Sequence, residues 1–368
     1  MILLQQNIKK FNKYSKIDTQ RQKQVKTTSL IIINNITNGE NMKNLKKLGL
    51  SALAGSLVAF SASAVEMSVS GTSEITYTTG EGNIATTVNP WGSNTSLVFS
   101  GSGNVGWADV TIVRSINDGL GSAFLSAYQT MDMGDMGILS FDAVGGGVAG
   151  LLPFDDALPT AYEEMWNGIG SGTGMAGAAS NDTIGYSNTI GGVAFSLAKS
   201  RGGAAASSDG SNVEATASTG SFNDWHLSYD VPGMDGLTLM HGRSEKNNTT
   251  GDNDSYQNSH ILYSVGMVSA GVRKGKGDSG TAGVATHNVE AMSVAFNVND
   301  NLSVSLATQD FEYDNTAAAD VTETVDAINA SYTVGAASVR ATVSDGDKLG
   351  GTSTYSAEFM ELSLILSF

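Results

Sequence analysis

The feature that most constrains this chain is a period-two alternation of apolar and polar residues, repeated in many short segments. One segment, from Trp225 to Val231, reads Trp-His-Leu-Ser-Tyr-Asp-Val. Another is the C-terminal run from Met360 to Phe368, which alternates except at Ile365. Successive side chains of a strand point to opposite faces, so each segment predicts a strand with one apolar and one polar face. After residue 64 no apolar run reaches about 18 residues, so no membrane-spanning helix is predicted.

Sixteen segments are predicted as strands, and the links between them alternate in length. The strands are 67–78, 94–103, 105–116, 121–130, 137–143, 182–189, 193–200, 221–231, 237–244, 256–265, 268–274, 287–298, 302–311, 325–333, 337–344 and 355–368. The links at one end are short turns, whereas those at the other end are mostly long and rich in Gly, Ser, Asn and Asp, except for 117–120. This layout is typical of an up-and-down barrel with turns on one side of a membrane and loops on the other.

We expect the sheet to close because its strands would be surrounded by lipid. In lipid every backbone polar group needs an internal partner, so strands can cross only as a barrel without edges. We therefore predict an all-β fold, a transmembrane antiparallel up-and-down β-barrel of about 16 strands, whose lumen is too wide for side chains to fill. The sequence thus predicts a water-filled lumen.

A secretory signal precedes this barrel. A basic segment, Met42–Lys47, is followed by the apolar run Leu48–Phe60 and by Ser61–Ala64, which suits cleavage before Val65. These are the three parts of a signal peptide. The predicted organisation is an over-extended start or unstructured extension at 1–41, the signal at 42–64 and the barrel at 65–368.

The barrel region is strongly acidic and has no cysteine. Residues 65–368 carry ten basic and 34 acidic side chains, which argues against nucleic-acid binding because that requires a basic surface. Without cysteine there is no disulfide framework and no thiolate metal site. We predict no metal ligand set and no cofactor.

The longest link, 144–181, is Gly-rich at both ends and acidic in its middle. Asp155, Asp156, Glu163 and Glu164 lie there, close to Trp166. Long loops without secondary structure are usually functional or disordered. We predict that this third long loop folds into the lumen and that its carboxylates form a constriction, which would concentrate cations. An ordinary solvated external loop and a Ca²⁺ site remain as alternatives.

Two strings suggest catalysis but lack the context that catalysis needs. Residues 145–150 match the Gly-x-Gly-x-x-Gly pattern, yet Leu-Leu-Pro follows instead of a helix. The sequence Gly277-Asp278-Ser279-Gly280 resembles a serine nucleophile loop, but no histidine has the required context. We predict that the protein is not an enzyme.

Four features of the sequence occur together in a fixed order. They are 134–141 before the long loop, 181–188 after it, the acidic loop between them, and the terminal strand 361–368 that ends in Phe368. Together they resemble the Gram-negative general porin family, especially porins of alphaproteobacteria. The resemblance implies a homotrimer in the outer membrane, in contact with lipid and lipopolysaccharide. It also implies passive diffusion of small polar solutes and recognition of Phe368 by the barrel-assembly machinery.

The resemblance further implies basic wall residues that face the acidic loop. Arg114 is the candidate for this constriction, although its strand parity is ambiguous. The other arginines are scattered along the barrel region, namely Arg201, Arg243, Arg273 and Arg340. A different reading of the same composition is a β-rich surface protein without a pore, such as an adhesin or S-layer component. That reading requires a fixed repeat, and none is present.

Overall fold

The computed structural model describes residues 66–83, 89–117, 126–144, 154, 156–177, 183–200, 220–248, 251–280, 286–315 and 319–368. The predicted leader and the boundaries at 41 and 64 lie outside these ranges. Within them, no helix is both long and apolar enough to cross a membrane.

Sixteen strands form the structure. They are β1 Glu66–Gly82, β2 Trp91–Asn104, β3 Asp109–Asn117, β4 Ser126–Asp132, β5 Ile138–Val144, β6 Thr183–Ile190, β7 Val193–Ser200, β8 Ser221–Asp230, β9 Leu237–Asn247, β10 Asp254–Val265, β11 Val268–Asp278, β12 Thr286–Asn297, β13 Leu302–Asp314, β14 Val321–Val334, β15 Ala337–Asp347 and β16 Ser356–Ser367. Two single-turn 3₁₀ helices lie at Gly134–Met136 and Leu349–Gly351.

The sheet is closed. Each strand pairs antiparallel with the next, and β1 pairs with β16. At the seam Gly71 N donates to Phe368 O at 2.8 Å, and Phe368 N donates to Gly71 O at 2.9 Å. The prediction of an antiparallel up-and-down barrel with sixteen strands is confirmed. The described strands form this one closed barrel and not a stack of repeats, which the surface-protein reading would require.

The two faces of the wall differ as the alternation predicts. On β16, Leu362, Leu364 and Leu366 face outward and remain exposed, whereas Ser363 between them is buried. The register carries this parity from strand to strand, so that Ile75 lies opposite Leu364. An apolar exterior and a polar interior are the surfaces that a transmembrane barrel needs.

One strand boundary differs from the prediction for a local reason. The sequence predicted a strand from 105, but Val105 N donates to Ala108 O at 2.9 Å and closes a turn. Gly106 adopts φ +97, which glycine tolerates because it has no Cβ. Asn104 supports the turn, since its Oδ1 accepts from Gly106 N at 2.7 Å. The third strand therefore begins at Asp109.

Candidate functional site

The part of the β5–β6 link that the structure describes, Phe154 and 156–177, is called here the β5–β6 segment. Its buried side chains Leu158 and Met165 pack with Ala291 and Ala327. Both alanines have the same strand parity as the buried polar residues, on the inward face of the wall. Small wall residues therefore accommodate the apolar side chains of the segment.

Glu323 binds the segment most extensively. This glutamate on β14 is fully buried. Its Oε1 accepts from Ser171 N at 2.8 Å, and its Oε2 accepts from Ser171 Oγ at 2.7 Å. Gly350 N, from the β15–β16 link, donates to the same Oε2 at 2.7 Å. One carboxylate thus connects the segment, the wall and a second loop.

Further polar contacts join the segment to β12 and β13. Ala161 N donates to Ser305 Oγ at 2.9 Å, and Gln309 Nε2 donates to Gly172 O at 2.9 Å. His287 on β12 contacts Gly174 O through Nε2. These bonds are distributed along the segment, so its backbone is held at several points.

Acidic side chains gather around Tyr162. The phenol donates to Glu361 Oε1 at 2.6 Å and lies 3.4 Å from Glu74 Oε1. Ser363 Oγ also donates to Glu74. Burial raises the pKa of the Tyr162 phenol, and the bond to Glu361 raises it further. Burial likewise raises the pKa of Glu163, and the charges of Glu164 and Glu361 add to that effect.

Two arginines of the wall lie against aromatic rings of the segment. Arg340 Cζ is 5.5 Å from the ring centre of Tyr162, and Arg273 Cζ is 5.1 Å from that of Trp166. Such cation–π contacts are attractive. Arg273 also donates to Gln309. The positive charges that seemed scattered in the sequence therefore include two that meet the acidic segment.

Three of the four carboxylates predicted for the constriction lie within the described part of the link. Asp156, Glu163 and Glu164 are half-buried within the segment, and Asp155 lies outside the described residues.

The structure corrects the prediction that Arg114 lines the constriction. The register places it on the outward face of β3 with Ile112 and Ile116, because Val113 and Ser115 carry the buried inward positions. Its Nη1 donates to Val113 O at 2.7 Å and to Tyr128 O at 3.3 Å.

Three lumenal residues were not singled out from the sequence, namely Glu74, Glu323 and Glu361. Arg273 and Arg340 were noted only among the scattered arginines. A signal for two of them was present, since Glu74 and Glu361 occupy polar positions of alternating strands. What the pattern lacked was the register of the β1–β16 seam and the path of the segment, which together bring these two carboxylates to Tyr162.

The metal site and the two catalysis-like strings can also be compared with the structure. Among the described residues no group of three or more His, Asp or Glu side chains is arranged to hold a metal ion. Ser279 Oγ lies 3.5 Å from Asp254 Oδ1, which also accepts from Gly280 N at 2.8 Å, so these contacts join the residues after β11 to the start of β10. The Gly-x-Gly-x-x-Gly string at 145–150 lies outside the described residues.

Comparison with known proteins identifies the fold. No family model and no curated protein matches the sequence. Several solved structures do match. OmpT of Vibrio cholerae in its trimer form aligns with a TM-score of 0.59 and 13% identity, over 83% of this chain and 100% of that chain. The anion-selective porin from Comamonas acidovorans gives 0.57 and 13%, over 83% and 100%. Salmonella typhi OmpF in complex with daunomycin gives 0.57 and 10%, over 82% and 97%. The fold is therefore a porin barrel of sixteen strands.

Proposed function

We propose that this protein is an outer-membrane porin, an integral channel for passive diffusion of small hydrophilic solutes and ions. The observation that carries the proposal is the set of contacts between the β5–β6 segment and inward-facing wall residues, above all Glu323 and Ser305. A segment held in this way narrows the lumen and forms the constriction. The acidic Asp155 belongs to the same link and adds to its charge.

The channel prefers cations weakly. Support comes from the carboxylates near the narrowing, because Glu74 and Glu361 add to Glu163 and Glu164, while Arg340 is the nearby positive charge. A confined pore with an excess of one sign repels co-ions and concentrates counter-ions. The fold itself does not decide the sign, since the Comamonas porin is described as anion-selective.

The assembly is a homotrimer in contact with outer-membrane lipid and lipopolysaccharide. Support comes from Arg114, which faces outward between the exposed Ile112 and Ile116. An arginine on the lipid face of a barrel costs about 2–4 kcal/mol at the midplane, so a second subunit over this face would relieve the cost. The Vibrio cholerae OmpT structure is a trimer form. Phe368, on the outward face at the seam, serves as the assembly signal.

Conductance across planar bilayers tests the function. The purified protein should give discrete steps, and a salt gradient should give a reversal potential of the sign for cations. Changing both Glu163→Gln and Glu164→Gln should reduce the cation preference, whereas Glu290→Gln with Glu312→Gln, on the outward face, should leave it unchanged. Absence of channels would refute the proposal. Channels that prefer anions would refute its charge mechanism.

A further inference from the structure

A cavity distinct from the acidic cluster lies on the inward face of β4–β8, close to the short turns. Its volume is about 460 Å³, and Asp132, Ser187, Ser196, Ser228, His226 and Phe154 are among the residues that line it. Sites for small organic ligands commonly measure about 300–1,000 Å³. The cavity therefore has the size for one small solute.

Hydroxyl groups are arranged in it with the regularity of the sheet. Ser187 lies opposite Ser196, and Ser196 lies opposite His226, so the three share one row across β6, β7 and β8. Adjacent strands are about 4.8 Å apart, and same-face neighbours along a strand are about 7 Å apart, as for His226 and Ser228. A hydroxyl both donates and accepts. The wall therefore presents a regular grid of polar groups, and its hydroxyls can either donate or accept a hydrogen bond.

An aromatic pair lies beside this grid. The rings of Phe154 and His226 stack with centres 3.9 Å apart and an angle of 4° between their planes. His226 is 2% exposed, and its Nε2 has no hydrogen-bond partner among the described residues. A buried polar atom without a partner is costly, so a ligand hydroxyl that reached it after a small shift of Phe154 would gain a bond.

The charge of the cavity limits the ligand class. None of the described residues that line it is Lys or Arg, so it has no group to pair with an anion. It holds one carboxylate, Asp132, whose Oδ1 already accepts from Gly134 N at 2.9 Å. Several hydroxyls, an amphipathic ring pair and little charge match a polyhydroxylated ring with apolar C–H faces.

We infer that this cavity binds a neutral sugar of one or two rings as the solute passes through the channel. The inference rests on the proposed porin function and names the class of solute. Phe154, stacked on His226, packs against a C–H face of the sugar, while Ser187 and Ser228 exchange hydrogen bonds with its hydroxyls. The site is a transit site on the turn side of the constriction.

Maltose is the probe. Added to channels in planar bilayers, it should reduce the ion current saturably, and Phe154→Ala or Ser228→Ala should weaken its apparent affinity about two- to tenfold. The matched control is Ser331→Ala, an inward-facing serine near the turn end of β14, which should keep the wild-type affinity. Calorimetric titration of the detergent-solubilised protein with maltose measures the same affinity without requiring a current.

The outcomes separate the two proposals. Conducting channels that maltose neither blocks nor binds would overturn the sugar site and leave the porin function standing. Binding of maltose without any channel would overturn the porin function alone. An equal loss of affinity in Ser331→Ala would show that the site lies elsewhere. If ethylammonium blocks the current and maltose does not, and if Asp132→Asn relieves that block, the ligand of the cavity is a cation. That result would overturn the inference.

Discussion

Replacing Glu323 with Gln should loosen the β5–β6 segment without unfolding the barrel. The carboxylate accepts three short hydrogen bonds, two from Ser171 and one from Gly350. Tyr313 Oη lies 3.4 Å from the same carboxylate. Gln preserves the shape, but it removes the charge and turns an NH₂ group toward donors. The strand backbone of β14 pairs with β13 and β15 as before.

The loss of docking free energy can be worked out from these hydrogen bonds. Hydrogen bonds to a charged group contribute about 1.5–3 kcal/mol and neutral ones about 0.5–1.5 kcal/mol. Each of the three short bonds therefore weakens by about 1 kcal/mol, and docking of the segment, which uses the two bonds from Ser171, weakens by about 2 kcal/mol. Since about 1.4 kcal/mol corresponds to a factor of ten, the undocked population rises on the order of 30-fold.

Hydrogen exchange read by mass spectrometry checks this result. Peptides that cover 166–172 should exchange much faster in Glu323→Gln, and the open-channel current should become noisier. The control is Glu312→Gln, because Glu312 lies on the outward face of β13, where Asn288 Nδ2 donates to it at 3.2 Å. Equal exchange of the segment in the two variants would refute the anchoring role of Glu323.

Three other predictions concern the lumenal charges and the seam. Burial and the neighbouring charge of Glu164 raise the pKa of Glu163, so Glu163 loses its charge at a higher pH than an ordinary glutamate. As the pH is lowered, the cation preference should begin to decline at a higher pH than it would with an ordinary glutamate. Glu163→Gln should abolish that early decline, which is measured as the reversal potential. Arg340→Gln should strengthen the cation preference, because it removes a positive charge near Tyr162; an unchanged reversal potential would contradict this. Phe368→Ala should lower the yield of heat-modifiable barrel in outer-membrane fractions, whereas Phe141→Ala, another exposed outward aromatic, should not.

The number and order of the strands could be read from the sequence, since they depend on local information. Alternation specifies two faces for each segment, and the turn residues separate one segment from the next. The sixteen predicted segments correspond in order to the sixteen strands, with shifts at ends such as Asp109. The acidic link was also recognisable from its length and composition, and its narrowing of the lumen stays a prediction.

The grouping of the lumenal charges depended on the tertiary structure. The register of the β1–β16 seam places Glu74 beside Ser363, and the path of the β5–β6 segment brings Tyr162 to the same point, although the three residues are distant in the chain. Arg114 illustrates the same limit, because Ile112 and Val113 are both apolar and leave the parity of β3 undecided until its neighbours set the register. A side chain in a barrel faces water or lipid according to the strands that pair with its own, and that information is not local to any segment of the sequence.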